Sequence, residues 1–256
     1  YVHELDNAFN LYDVNNQVKG TLDKTDFYFC GSNSVSDVVL RKIDINKSNY
    51  LVINSSIPSI ENKIKNKNTR TELLETLGFS NTDFIVGMMG ALEWRKGPDL
   101  FFNVALKFKD VDSFKFIWVG VRDDDKELFE QLEFDTNLSG MKSKMKFIKA
   151  NKDYEKYYSL FDVFLLSSRE DPFPMVMVES AAYGLPVIGF KGTGGIDEFT
   201  ANGTGFKVEP FDYSKIKTIL LRLNSDEKFY IEQSNQSRVI ALDKYNLEKN
   251  ILLMHK

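Results

Sequence analysis

Three short segments hold residues whose types and spacing suit a diphosphate. The first, Gly90–Gly97 (GALEWRKG), sets Arg95 beside Lys96 after Gly90. An arginine fork and a lysine point charge both bind phosphate oxygens. Gly90 permits a tight exit from a strand. The second, Ser167–Glu179 (SSREDPFPMVMVE), places the acidic pair Glu170 and Asp171 before two prolines and a helix start near Met175. The unsatisfied N–H groups of that first turn, at Met175 and Val176, form an anion site without any charged side chain. Glu179 follows among the apolar neighbours Val176, Met177, Val178 and Ala182, and a glutamate in such company needs a partner. One carboxylate suits the hydroxyls of a sugar and the other those of a ribose. The third segment, Gly192–Glu198 (GTGGIDE), offers Gly194 and Gly195, which let backbone approach a ligand closely. Alone, it reads equally well as an ordinary turn.

These segments need elements to hold them. Strands are predicted over 84–89, 114–119, 145–148, 163–166, 186–190 and 205–208, mostly as continuous apolar runs. Strands buried on both faces of a parallel sheet look like that. Helices are predicted from Pro98 to about Phe108, over 154–161 and over 175–183, with Gly184 as a C-terminal cap. The alternation implies an α/β fold with a doubly wound parallel sheet. In such sheets ligands bind beyond the carboxyl ends of the strands, and each of the three segments follows a predicted strand. Residues 1–60 read as a smaller, partial α/β unit with strands at 26–31 and 50–53 around a helix at 35–42. Residues 59–68 read as a polar linker. The division is therefore 1–60 and 61–256. Three helices are predicted after residue 212. The opening at Tyr1 reads as the start of a fragment.

Composition removes other classes. No G-x-G-x-x-G follows a strand, and no G-x-x-x-x-G-K-[ST] or H-E-x-x-H is present. Cys30 is the one cysteine of the 256 residues, which rules out an internal disulfide. The run Asp123–Asp125 is read as capping a helix that begins near Lys126, so no metal is expected. A formal charge of −4 gives no field favouring nucleic acid. No apolar run reaches the ~18 residues of a membrane span, no signal peptide is read, and a cytoplasmic location is expected.

Together the three loops resemble family 4 (group 1) glycosyltransferases, closely over 70–256 and more loosely over 1–60. PFPMVMVESAAYGLPVI and GTGGIDEFTANGTGFKVEP carry the resemblance. The family's pair of glutamates, separated by seven residues, is met in spacing by Asp171 and Glu179, with Glu170 one residue early. Gly194, Gly195 and Glu198 match its G-G-x-x-E pattern. The resemblance implies a GT-B fold whose donor domain binds a nucleoside-diphosphate sugar of the UDP or GDP type, without cofactor or metal. Arg95 and Lys96 would hold the diphosphate, Glu179 the ribose, and Glu170 or Asp171 the transferred sugar. Many members carry an arginine where this chain has Ala91, so Arg95 is expected to substitute. YVHEL resembles the family's strand-end histidine motif and places His3 at the cleft. The segment 148–151 is the expected contact for the base. The family implies transfer with retention to a carbohydrate or lipid-linked glycan, with peripheral membrane contact through a missing N-terminal part. This chain, as the donor-binding half, is expected to bind donor but not to transfer alone. Two rivals use the same site: a sugar-nucleotide epimerase, and a non-catalytic sugar-nucleotide-binding module.

Overall fold

A computed structural model describes residues 1–6, 9–10, 17–22, 24–42, 49–58, 62–201 and 203–254. The expected division at 60/61 lies outside them, as does the start of the expected linker. Among the described residues two separate hydrophobic clusters form, one holding residues 5–39 and the other residues from 57 onward.

The smaller part holds α1 (Gln17–Leu22), β1 (Tyr28–Cys30), α2 (Asn33–Lys42) and β2 (Tyr50–Val52). β1 and β2 pair in parallel, and Val2 bridges to Cys30 on the other edge of β1. Val35, Val38 and Val39 of α2 close the cluster over Leu5, Tyr28 and Cys30.

The larger part comprises α3 (Lys67–Leu77), β3 (Phe84–Met89), α4 (Pro98–Leu106), β4 (Phe114–Val121), α5 (Lys126–Leu138), β5 (Met145–Lys149) and α6 (Lys156–Leu160). It continues with β6 (Val163–Leu166), α7 (Met175–Ala182), β7 (Val187–Phe190), α8 (Gly195–Thr200), β8 (Phe206–Val208), α9 (Tyr213–Ser225), α10 (Glu227–Lys244) and α11 (Leu247–Met254). Six strands form one parallel sheet in the order β5-β4-β3-β6-β7-β8. Every residue of β3, β6 and β7 is buried, as expected for strands covered by helices on both faces. Aromatic rings seal α4 and the turn that follows it to the sheet, with the Phe101 ring centroid 5.6 Å from that of Trp118 and the Phe108 centroid 4.4 Å from that of Phe114.

All six strands fall within two residues of their predicted ends. β7 starts at Val187 because Pro186 has no N–H for the ladder. The structure corrects the linker: residues 67 and 68 open α3. Asn66 caps that helix by accepting from Thr69 N–H, and Gly78 closes it in a left-handed turn. Only Leu74 of α3 is buried, so the helix had little apolar stripe to betray it. Just after β2, Ser55 and Ile57 lie against the larger part. Ser55 Oγ donates to Phe173 O at 3.0 Å, and Ile57 bridges to Asn246.

Candidate functional site

The sheet order reverses between β3 and β6. A crevice opens at that point beyond the carboxyl ends of the strands, and dinucleotide and mononucleotide sites lie in such crevices. The loops leaving those two strands are Gly90–Gly97 and the segment from Ser167 to Pro174. Topology thus brings the first two sequence segments together.

The first loop is fixed from beneath. The indole N–H of buried Trp118 donates to Gly90 O at 2.8 Å. Buried Asp125 accepts Leu92 N–H at 3.0 Å and Arg122 N–H at 2.9 Å. The acid run stands where it was read, with Asp125 at the N-cap position of α5 and the helix starting at Lys126, although the Asp125 carboxylate makes no capping hydrogen bond to that helix. Burial pushes its pKa up, but the Arg122 and Leu92 N–H groups and the Arg122 guanidinium more than offset that and hold it below the usual value. Among the described residues no cluster of three or more His, Cys, Asp or Glu is placed to hold a metal.

Arg95 and Lys96 end the loop in a 3-10 turn, Trp94–Lys96. Lys96 Nζ meets Asp171 Oδ2 at 2.6 Å, and Ser168 Oγ donates to the same oxygen at 3.1 Å. Arg95 lies 3.7 Å from Asp171 Oδ1 and donates to Glu170 O at 3.1 Å. Of the acidic pair, Asp171 therefore faces the two cations, while Glu170 lines the cleft toward the smaller part. Asp171 is 4% exposed. Its backbone is locked too: its N–H donates to Thr193 O at 2.7 Å, and Gly195 N–H donates to its carbonyl at 2.9 Å. Gly194, with φ of 116°, makes that pairing feasible, since a Cβ there would sit 2.2 Å from Asp171 O.

Beside this cluster α7 begins at Met175 after Pro174, and no side chain caps it. Met175 is half exposed, so the first turn is open to an anion. Along the same helix Glu179 is buried. It accepts Tyr158 OH at 2.6 Å and Tyr154 OH at 3.2 Å. Burial, then the Glu179 charge, raises both phenols, that of Tyr154 to about 12. A carboxylate has about four acceptor sites, so the tyrosines orient Glu179 and leave it capacity for further hydroxyls.

The third segment divides its duties. Gly194 and Gly195 hold Asp171, whereas Glu198 on α8 turns to the smaller part, accepting Asn33 N–H at 2.9 Å and Asn54 Nδ2 at 3.0 Å. His3 enters from the smaller part, packed so tightly on Gly31 that a Cβ there would lie 2.3 Å from its Nδ1. Burial lowers the His3 pKa, and the charges of Asp171, Arg95 and Lys96 reach it. Its Nδ1 is buried and finds no hydrogen-bond partner among the described residues. Residues 148–151 end β5, where Ala150 N–H donates to Val121 O at 2.8 Å.

Several supporting residues carried no signal taken from the sequence. Tyr154 and Tyr158 were legible only as helix residues. Ser168 and Arg169 sit inside a quoted motif. Arg169 clamps Asp99 through two hydrogen bonds of 2.8 and 2.6 Å, and its backbone N–H donates to Arg95 O at 2.8 Å. A third cation beside Arg95 and Lys96 on a neighbouring loop was the available clue. Between the two parts lies a cleft of 590 Å³ that reaches from Asp6 and Arg41 to Trp94, Glu170 and Gly194.

A parallel sheet whose strand order reverses between β3 and β6, with helices on both faces, defines a domain of the doubly wound α/β class. More specifically, the chain belongs to the glycosyl transferases group 1 family, whose model matches residues 69–239. It is 23% identical over 238 residues, 92% of this chain, to N-acetyl-alpha-D-glucosaminyl L-malate synthase of Bacillus anthracis. It is 30% identical over 107 residues, 41% of this chain, to an uncharacterized glycosyltransferase of Haemophilus influenzae. The matched stretches span 60% and 30% of those proteins' own lengths. The crystal structure of Anabaena HepE in complex with UDP-glucose superposes with a TM-score of 0.82 at 18% identity, covering 94% of this chain and 68% of that one. The fold is thus that of a GT-B glycosyltransferase. Among the described residues no helix is long and apolar enough to cross a membrane.

Proposed function

We propose that this chain is mainly the donor-binding half of a family 4 glycosyltransferase that uses a nucleoside-diphosphate sugar and retains anomeric configuration. One observation carries the reading. At the switch point Lys96 and Arg95 converge on buried Asp171 beside the uncapped start of α7. A diphosphate placed there meets two cations and the positive end of a helix. UDP is the nucleotide to try first, since the HepE complex holds UDP-glucose.

In this reading Arg95, Lys96 and the Met175 and Val176 N–H groups bind the diphosphate and stabilise the charge that grows on the leaving phosphate. Asp171 serves the donor sugar and Glu179 the ribose hydroxyls. Gly90 lets the loop approach the phosphates closely, and Gly194 and Gly195 hold the Asp171 loop. Glu198 ties the two parts through Asn33 and Asn54. His3, neutral at pH 7, faces the sugar from the opposite wall. The bond from the anomeric carbon to the phosphate oxygen breaks. An acceptor hydroxyl forms the new bond on the same face, and the departing phosphate takes its proton. No metal and no covalent enzyme nucleophile take part. The acceptor is a carbohydrate or lipid-linked glycan, peripheral membrane contact comes through segments outside this chain, and the location is cytoplasmic.

Calorimetric titration with UDP, GDP and ADP, alongside Lys96→Ala and Glu179→Ala, tests the site. Binding of one nucleotide, lost in both variants with the fold intact, is the expected result. A folded chain that binds none, repeated with the full-length enzyme, overturns the reading. Product with inverted configuration refutes the retaining mechanism.

A further inference from the structure

Residues 63–66 lie on the chain path from β2 to α3, and their own contacts fasten them to the larger part. Lys63 Nζ donates to both carboxylate oxygens of Glu155 at 2.7 Å. Lys65 Nζ donates to Phe161 O at 2.8 Å, and Asn66 N–H donates to Ser159 Oγ at 3.0 Å. The Arg238 guanidinium donates to Lys63 O. The anchor points Glu155, Ser159 and Phe161 follow one another along α6, from its N-cap position to its C-cap position. The path between the two parts is therefore strapped along the length of that helix.

The helix so held carries the phenols that orient Glu179, with Tyr154 just before its N-cap and Tyr158 within it. Glu155 links them to the strap. It neighbours Tyr154 in the chain, and its Oε2 accepts Tyr183 OH at 3.2 Å. Tyr183 ends α7 and donates its own N–H to Glu179 O at 3.1 Å. Its ring stacks on that of Tyr158, with centroids 5.1 Å apart. Burial, and then the charges of Glu155 and Glu179, raise the Tyr183 phenol to about 12, so both carboxylates bear on the same rings. Like charges so placed repel each other. Among the described residues the ion pair of Glu155 with Lys63 is the one that either carboxylate makes, and the Lys63 side chain is 17% exposed. Lys63 thus offsets the repulsion and fixes where α6 stands against α7.

We propose that Lys63, acting through Glu155, is a positioning residue for the ribose: it holds α6 against α7 so that Glu179 meets the ribose hydroxyls of the bound nucleotide. The path between the two parts is then a determinant of selectivity for ribonucleotides. The inference rests on the donor reading of Glu179 and deepens it. Glu155 is 43% exposed, and a pair this open to water adds little to stability. A hydrogen bond to a carboxylate is directional, however, and weakens steeply when its geometry is disturbed. The strap therefore acts on recognition far more than on folding.

The test compares UDP with 2′-deoxy-UDP by calorimetry and follows thermal midpoints alongside. The unaltered chain should prefer UDP by about tenfold, the scale of a hydrogen bond to a charged group. In Lys63→Ala that preference should fall to about threefold or less. The fall should come from weaker UDP binding, with 2′-deoxy-UDP affinity within about twofold and the midpoint nearly unchanged. Lys63→Arg should restore the preference. Glu155→Gln should lower it as Lys63→Ala does, and the double variant should be no worse than either single one. The proposal is overturned by a full preference in folded Lys63→Ala, by equal weakening of both nucleotides, by no rescue in Lys63→Arg, or by additive losses in the double variant. Failure of the donor reading looks different. The unaltered chain would then bind neither nucleotide, or both equally, before any substitution, and the proposal would fall with it.

Discussion

Replacing Asp171 with asparagine should weaken the empty protein yet strengthen its grip on UDP. The Lys96–Asp171 pair is 2.6 Å long, with the lysine side chain 16% exposed and the carboxylate side chain 5%. At an effective dielectric of about 20 the gross attraction at that distance is about 6 kcal/mol, most of it offset by desolvation. Removing one partner of a buried pair costs about 3–5 kcal/mol, because the other charge is left uncompensated. Lys96 keeps some access to water, and the amide oxygen of the introduced asparagine can still accept from it. The cost therefore falls at or just below the low end, about 2–3 kcal/mol. A bound diphosphate would supply the missing counter-charge. By the thermodynamic cycle, UDP binding should then recover about 2 kcal/mol, which is roughly a 30-fold lower Kd. Urea denaturation of both proteins with and without saturating UDP, together with calorimetry, measures every edge of that cycle. If the variant is folded and binds UDP no better than the original, Lys96 is not a phosphate ligand that Asp171 holds in the empty site, and the site geometry has been misread.

The remaining predictions concern support and pH. Glu179→Ala strands the buried Tyr158 hydroxyl, now 2.6 Å from its acceptor, and should cost about 2–3 kcal/mol in urea denaturation; Glu179→Gln should cost less, and equal costs would show that the charge is irrelevant. Gly194→Ala forces a Cβ to within 2.2 Å of Asp171 O at a φ of 116°; it should lower the thermal midpoint and abolish UDP binding, and an unperturbed variant would refute the locked-loop argument. Burial lowers the Lys65 ammonium from its ordinary 10.5 to about 8. The unfolded chain therefore binds more protons between those values, so stability should rise by about 1 kcal/mol from pH 7 to pH 9. Tyr154 and Tyr183, raised by burial to about 12, act oppositely and should erode stability above pH 10. Thermal midpoints across that range check both arms, and Lys65→Met should flatten the lower one.

What could be read from the sequence follows from how local each cause is. β3, β6 and β7 declare themselves because burial on both faces demands an unbroken apolar run, and composition alone records that demand. Arg95, Lys96, Asp171 and Glu179 could be picked out because charged residues at strand ends and among apolar neighbours have few other reasons to be there. Partnership is a different matter. Which of Glu170 and Asp171 turns toward Lys96 depends on a bridge from Asp171 to Gly194, in the next loop of the sheet, and no spacing rule encodes it. Asp125 illustrates the same limit from the other side. Its place before a helix favours a cap, yet two N–H groups and a guanidinium supplied by the fold claim the carboxylate instead. Glu198 is the sharpest case. A motif match puts it with the ligand residues, while its carboxylate joins α8 to Asn33 and Asn54 of the other part. A residue so placed links the Asp171 loop to the far wall of the cleft through one short helix. Whatever fixes the Asp171 cluster is therefore mechanically continuous with whatever sets the width of the cleft, and the two walls need not be tuned by separate residues.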